Sequence, residues 1–242
     1  MTKRKWLYLI IIVALATPVL LLYFAFEGNP IGKFNAKRTL DKHLEETYPD
    51  QNFVIHGPAS YNFKDGGYHL TAEEIDKETS DRKEYEFSIV GIFGTKVHYD
   101  GIYFENLDQP LMNKFEREAN KEILEKLQLG IPDVREVQVT IEVLEGTYDW
   151  NTKWHKDLEL EEPLSIWVAI DGENKTEDDI VEIGKIMQKI LNDHDYDYKS
   201  ATINSRINHE GSVMLNYSAG FAKDEEITKK NVDKENKEHG LH

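Results

Sequence analysis

From Trp6 to Phe26 the chain runs for 21 residues without a charged side chain, broken only by Thr17 and Pro18. At about 1.5 Å of rise per residue, a helix of that length spans about 31 Å, the thickness of a bilayer's hydrocarbon core. Trp6 and Tyr8 lie at one end and Tyr23, Phe24 and Phe26 at the other, where amphipathic rings favour the headgroup level. Lys3, Arg4 and Lys5 precede the run, and Glu27 is the first charge after it. Cationic flanks stay cytoplasmic, which predicts an N-terminus inside the cell membrane and residues 27–242 outside it. Pro18 is tolerated, because local adjustment absorbs its missing hydrogen bond. A cleaved signal peptide is the competing reading, but its apolar stretch is about 7–15 residues long and ends at a small-residue site. Ala14-Leu15-Ala16 has suitable residues inside the run, and cutting there leaves an apolar new terminus. Residues 1–26 are therefore read as an uncleaved transmembrane anchor (helix about 6–26) with membrane lipid as its partner.

The whole chain holds 29 basic and 45 acidic residues, a net charge of −16. No basic surplus is available to neutralise phosphates, so nucleic acid is excluded as a partner. Beyond the anchor the imbalance sharpens to −19. The absence of cysteine removes a disulfide framework, a thiolate nucleophile, a cysteine-based zinc site and a lipid-modified terminal cysteine.

Two small domains are predicted outside the anchor. In the first, residues 27–106, Ala36, Leu40, Leu44 and Tyr48 recur at every fourth position and predict a helix over 32–48, stopped by Pro49. Short strands are predicted at 52–56, 60–63 and 68–72, the last two joined by the turn Lys64-Asp65-Gly66-Gly67. Residues 73–82 read as polar loop. Tyr85, Phe87 and Ile89 alternate with polar neighbours as in a half-buried strand, and 96–103 predicts another. In the second domain, residues 107–222, Asp108 is a candidate N-cap for a helix striped by Met112, Phe115, Ala119, Ile123 and Leu127. A strand at 137–143, a long connection over 145–163, a strand at 164–170 and a helix capped by Thr176 follow. A hairpin at 198–207 and 211–219 completes an α-β-β-α-β-β order. Two helices on one face of a four-stranded antiparallel sheet would bury these stripes. The fold class is thus α+β. The tail, 223–242, has only Ile227, Val232 and Leu241 as sizeable apolar groups and is read as disordered.

The anchor, the following helix, the aromatic hairpin Tyr61-Asn62-Phe63-Lys64-Asp65-Gly66-Gly67-Tyr68 and the alternating strand after it together resemble the YfjL-like proteins of Bacillus and relatives. The resemblance covers nearly the whole chain. It implies a small membrane-anchored protein with an N-terminal and a C-terminal domain, and brings no catalytic residues. The helix-plus-hairpin unit is also similar to cystatin-like and PepSY-like modules, which often bind peptides or inhibit proteases.

A serine-hydrolase elbow, a zincin His-Glu pair with its second histidine and a phosphate-binding glycine loop are all missing from the sequence. No catalytic residue and no cofactor is assigned. Asp193, Asp195 and Asp197, near His194 and with Asp171 and Glu173 before the helix, supply the oxygen ligands calcium takes but not a regular loop spacing. They are candidate calcium ligands, with a solvated acidic surface as the plainer reading. Trp150 and Trp154 in the long connection are candidates for an exposed binding platform, against burial under the loop. His43 and His56 have no partner at metal spacing. The sequence therefore predicts a non-enzymatic binding or regulatory module with a protein or peptide partner. The alternative is an extracytoplasmic hydrolase of wall or peptide substrates with an unrecognised site.

Overall fold

The apolar run becomes most of helix α1 (Lys3–Glu27). In the computed structural model, which describes residues 3–75, 82–91, 93–209 and 211–234, no part of its most apolar window is buried by protein, and that window has a mean hydropathy of 2.3. This is one helix long and apolar enough to cross a membrane. The chain divides into two units at Asn106/Leu107.

In the first unit, α1 passes through Gly28 and Asn29 into α2 (Pro30–Thr47). Asn29 caps α2, its Oδ1 accepting from the Gly32 N–H (2.6 Å) while its Nδ2 donates to the Tyr68 hydroxyl (3.2 Å). The turn is seated on the sheet. Gly28 has φ +72°, and a Cβ there would lie 2.7 Å from the Tyr61 ring. Gly32, Ala36, Leu40 and Leu44 form the buried stripe of α2, four residues apart as a helix face requires.

That stripe packs on a four-stranded antiparallel meander, β1 (Phe53–Asn62), β2 (Gly67–Ile75), β3 (Arg82–Val90) and β4 (Lys96–Asp100). Tyr68, Leu70, Tyr85, Phe87 and Ile89 fill the space between them. The short strand predicted at 52–56 and the first hairpin arm predicted at 60–63 are one bulged strand. Gly57, Pro58 and Ala59 stand opposite Leu70 alone, between the His56–Thr71 and Ser60–His69 pairs. Pro58 has no N–H to offer the ladder, and Gly57 takes φ +63°, so the chain bulges rather than stops. The loop predicted over 73–82 is partly strand: β2 runs to Ile75 and β3 starts at Arg82, with 76–81 outside the described residues. The strand predicted over 96–103 turns after Asp100 into helix α3 (Gly101–Glu105). The cause is local: Asp100 Oδ1 accepts from the N–H groups of Ile102 (2.9 Å) and Tyr103 (3.1 Å), a strong N-cap.

The second unit packs α4 (Gln109–Gly130) and α5 (Glu177–Asp193) on one face of a sheet ordered β5 (Val134–Thr140), β6 (Leu164–Asp171), β7 (Tyr198–His209), β8 (Ser212–Phe221) and β9 (Val232–Lys234). The caps fall where the sequence puts them: Asp108 accepts from the Leu111 N–H (3.0 Å), and Thr176 with Asp179 forms a capping box. Two features correct the expected four-stranded antiparallel sheet. β6 and β7 run parallel, because α5 carries the chain back across the sheet and returns it in the same direction. A fifth strand comes from the tail read as disordered. Ile227 is 2% exposed, Gln188 Nε2 donates to the carbonyls of Ala222, Lys223 and Glu225, and β9 pairs with β8. One buried isoleucine and a set of backbone bonds order a stretch whose composition is polar. Residues 235–242 lie outside the described residues.

Candidate functional site

Strands β7 and β8 outrun their sheet. Pairing of β7 with β6 ends at Arg206–Asp171, and pairing of β8 with β9 covers only Tyr217 to Ala219. Beyond those points Ile207, Asn208 and His209 pair with Met214, Val213 and Ser212 alone, so both outer edges of this two-stranded arm are open among the described residues. On β8 the arm's apolar side chains are exposed, Val213 by 70% and Met214 by 40%, while Ile207 on β7 is half-buried. Gly211, at φ +83°, belongs to the turn, where a glycine meets that backbone demand without strain. A register shift between Ser205 and Arg206 sets the arm off from the sheet, since a bulge bends and twists the strand that carries it.

At the arm's root lies an open groove of about 330 Å³ with Ala169, Ile170, Ile207 and Val213 as its apolar lining and Arg135, Asp171 and Arg206 among its charges. Those charges are matched. Arg135 Nη2 lies 3.0 Å from Asp171 Oδ2. Arg206 Nη1 lies 3.2 Å from Glu136 Oε2, with its guanidinium carbon 4.6 Å from the Trp167 ring centre. The Arg135 hydrogen bond, followed by the Glu173 N–H, holds the Asp171 carboxyl below the usual carboxylate range. An apolar floor with a matched charged rim and open strand edges suits an extended segment: main-chain bonds supply affinity and the groove selects a side chain.

The acidic candidates are not brought together. Asp193 pairs with Lys189, Asp195 with Lys156 (3.6 Å) and Asp197 with Lys223 (3.2 Å). Asp195 has φ +56° and turns the chain out of α5, a conformation aspartate tolerates better than most residues. Among the described residues no group of three or more His, Asp or Glu is placed to hold a metal. The structure also separates the two tryptophans. Trp154 is 8% exposed beside Phe115, its Nε1 donating to Glu122 (3.1 Å), while Trp150 is 57% exposed under the Lys114 ammonium (5.3 Å). Lys114 also donates to the carbonyls of Trp150 and Thr152, clipping the long connection to α4. His43 and His56 meet carboxylates, Asp100 and Glu73, each at 2.7 Å. The arm itself was visible in the sequence only as a hairpin; that its neighbours stop short is a property of other strands.

The architecture defines a two-unit α+β protein led by a membrane-length apolar helix. The chain belongs to the YfjL-like family: residues 3–101 match the YfjL-like N-terminal domain and residues 118–234 the YfjL-like C-terminal domain. It is 26% identical over 204 residues to the uncharacterized protein YfjL of Bacillus subtilis (strain 168), covering 84% of this chain and 86% of that one. A solved structure of a DUF5037 family protein from Ruminococcus gnavus aligns over 71% of this chain and 73% of its own at 14% identity, with a TM-score of 0.20, too low to carry an argument about fold.

Proposed function

We propose that this chain is a single-pass membrane protein that holds two binding units outside the cytoplasm and takes an extended segment of a protein partner on its β7–β8 arm. The observation that carries the reading is the arm's combination of open strand edges and exposed Val213 and Met214 beside the groove. An exposed apolar edge is a liability that proteins ordinarily blunt with charge, proline or a covering element, and its retention here fits a surface kept for pairing. In the first unit, one helix lies across a four-stranded antiparallel meander, in keeping with a cystatin- or PepSY-like module, and β1 is blunted by Pro58 and its bulge. An inhibitor or regulator of an exported enzyme is one version of this binding role.

A photo-crosslinking residue at Val213 or Met214 in the full chain is expected to give the same discrete protein adduct in intact cells. At Leu129, 87% exposed on α4, it is expected to give none. Absence of any adduct from the arm, or an identical pattern from Leu129, removes the reading. The outward orientation is part of the proposal, read from Lys3, Arg4 and Lys5 immediately before the apolar run. Protease added to wall-stripped cells is expected to digest the units without lysis; digestion only after lysis reverses the orientation.

A further inference from the structure

One end of the first unit carries large exposed apolar side chains beside a group of cations. In an antiparallel meander the first and third turns lie at the same end, and here they expose Phe63 (54%) and Phe93 (56%). α2 begins at that end too. Thr39 Oγ1 donates to the Gly94 carbonyl (2.9 Å), and a Cβ on Gly94 would lie 2.6 Å from the Gly32 carbonyl. The opening turns of α2 expose Ile31 (63%) and Phe34 (69%). The Phe63 ring meets Phe26, in the last turn of α1, edge-on at 5.3 Å, so the apolar surface continues from the anchor onto the unit without a gap.

Cations follow the rings. Lys33, Lys37 and Arg38, outnumbering the one carboxylate of Asp41, line an open groove of about 480 Å³ against Phe34, Pro58 and Ala59. None of these three cations has an ion-pair partner among the described residues. In a chain of net charge −16, three such cations beside the end of an apolar helix form a local reversal of sign. Lys33 lies about one turn, and Lys37 and Arg38 about two turns, from the start of α2, within reach of the headgroup layer for side chains that snorkel.

We infer that this end of the first unit seats on the bilayer surface, with Phe34, Phe63 and Phe93 in the interface and Lys33, Lys37 and Arg38 on anionic phospholipid headgroups. The inference rests on α1 spanning the membrane. Lipid is the occupant for two reasons. Gly28 and Asn29, the link between the helices, extend about 7 Å at most, so the surface cannot leave the bilayer's vicinity. The pairing of aromatic rings with basic side chains also matches what an anionic interface binds.

The chain contains no cysteine, so single cysteines at Leu15, Lys64, Thr95 or Glu46 can each carry one environment-sensitive dye. The full chain would be reconstituted in phosphatidylcholine vesicles with or without phosphatidylglycerol, with a nitroxide quencher on the lipid. Dyes at Lys64 and Thr95 are expected to be quenched, and a dye at Glu46, about 24 Å along α2, is not. Phosphatidylglycerol is expected to increase the quenching and salt to reduce it. Reversing Lys33, Lys37 and Arg38 to Glu removes the phosphatidylglycerol increment, at roughly fivefold in the seated-to-lifted ratio per cation removed. If Leu15 is quenched while Lys64 and Thr95 stay as bright as Glu46, the seat is overturned and the anchor stands. If Leu15 escapes quenching, the anchor reading falls and the seat falls with it.

Discussion

Phe115→Ala is expected to lower the stability of the second unit by about 3–5 kcal/mol, the usual cost of deleting a buried ring. Phe115 is fully buried on α4, its ring centre 6.0 Å from that of Tyr148 and 6.4 Å from that of Trp154. It joins the helix layer to the long connection between β5 and β6. The alanine leaves a void that the surrounding side chains close only in part. Because domains are stable by only about 5–15 kcal/mol, a loss of this size brings the unit near unfolding. The measurement is denaturant unfolding of the full chain followed by tryptophan emission. Trp150, Trp154 and Trp167 all lie in this unit, and the remaining tryptophan, Trp6, lies in the anchor. Leu129→Ala, at a site 87% exposed, is the control and should move the transition by no more than about 0.5 kcal/mol. A similarly small shift for Phe115→Ala would show that the core is not centred on this ring.

Asp100→Ala is expected to destabilise the first unit by about 3 kcal/mol, combining a lost cap with buried polar groups left unpaired. One carboxylate there serves four donors: the His43 ring (2.7 Å), the Tyr48 hydroxyl (2.8 Å) and the N–H groups of Ile102 and Tyr103. It ties α2, β4 and α3 together. Burial alone would raise the Asp100 pKa, but His43, the Tyr103 N–H and Tyr48 together outweigh it and hold the carboxyl below its ordinary value. Burial and then Asp100 push the Tyr48 hydroxyl well above the usual tyrosine range. The folded form therefore keeps Asp100 ionised at a pH where the unfolded chain has begun to take up a proton. Stability from this group is complete above an unfolded pKa of about 4 and is lost as pH falls through the lower folded value. Asp100→Asn, which keeps the shape, should melt at a lower temperature at neutral pH and lose less on acidification than the parent. Circular-dichroism melts across that range measure both. Equal acid slopes for the two chains would remove Asp100 from the linkage.

What could be read from the residues alone was the direction in which each element faces. The four-residue spacing of Ala36, Leu40 and Leu44, and the alternation around Tyr85, Phe87 and Ile89, each end in a buried stripe, because burial follows periodicity directly. The caps at Asp108 and Thr176 were legible for the same reason: they depend on bonds to residues three positions away. Neighbours across a sheet were not legible. The alternation in β6 and β7 says which side is buried but not that α5 returns the chain in parallel, and nothing within β7 or β8 announces that adjacent strands end early. Trp150 and Trp154 have the same chemistry four residues apart, and only the carboxylate of Glu122 and the ring of Phe115 decide which is covered. The acidic run around Asp195 looks like a ligand set until Lys156, Lys189 and Lys223 arrive from three separate segments.

Ile227 and the short final strand change how the molecule can be handled. Composition invites trimming at Ala222, where the charged stretch starts. The cut would lift the cover from Gly184, where an added Cβ would sit 3.2 Å from Ile227 Cγ2, and would strip the outer neighbour from Tyr217, Ser218 and Ala219. A shortened version would expose a fresh sticky seam beside the arm. Self-association of such a fragment would then report the missing lid, not the habit of the intact protein.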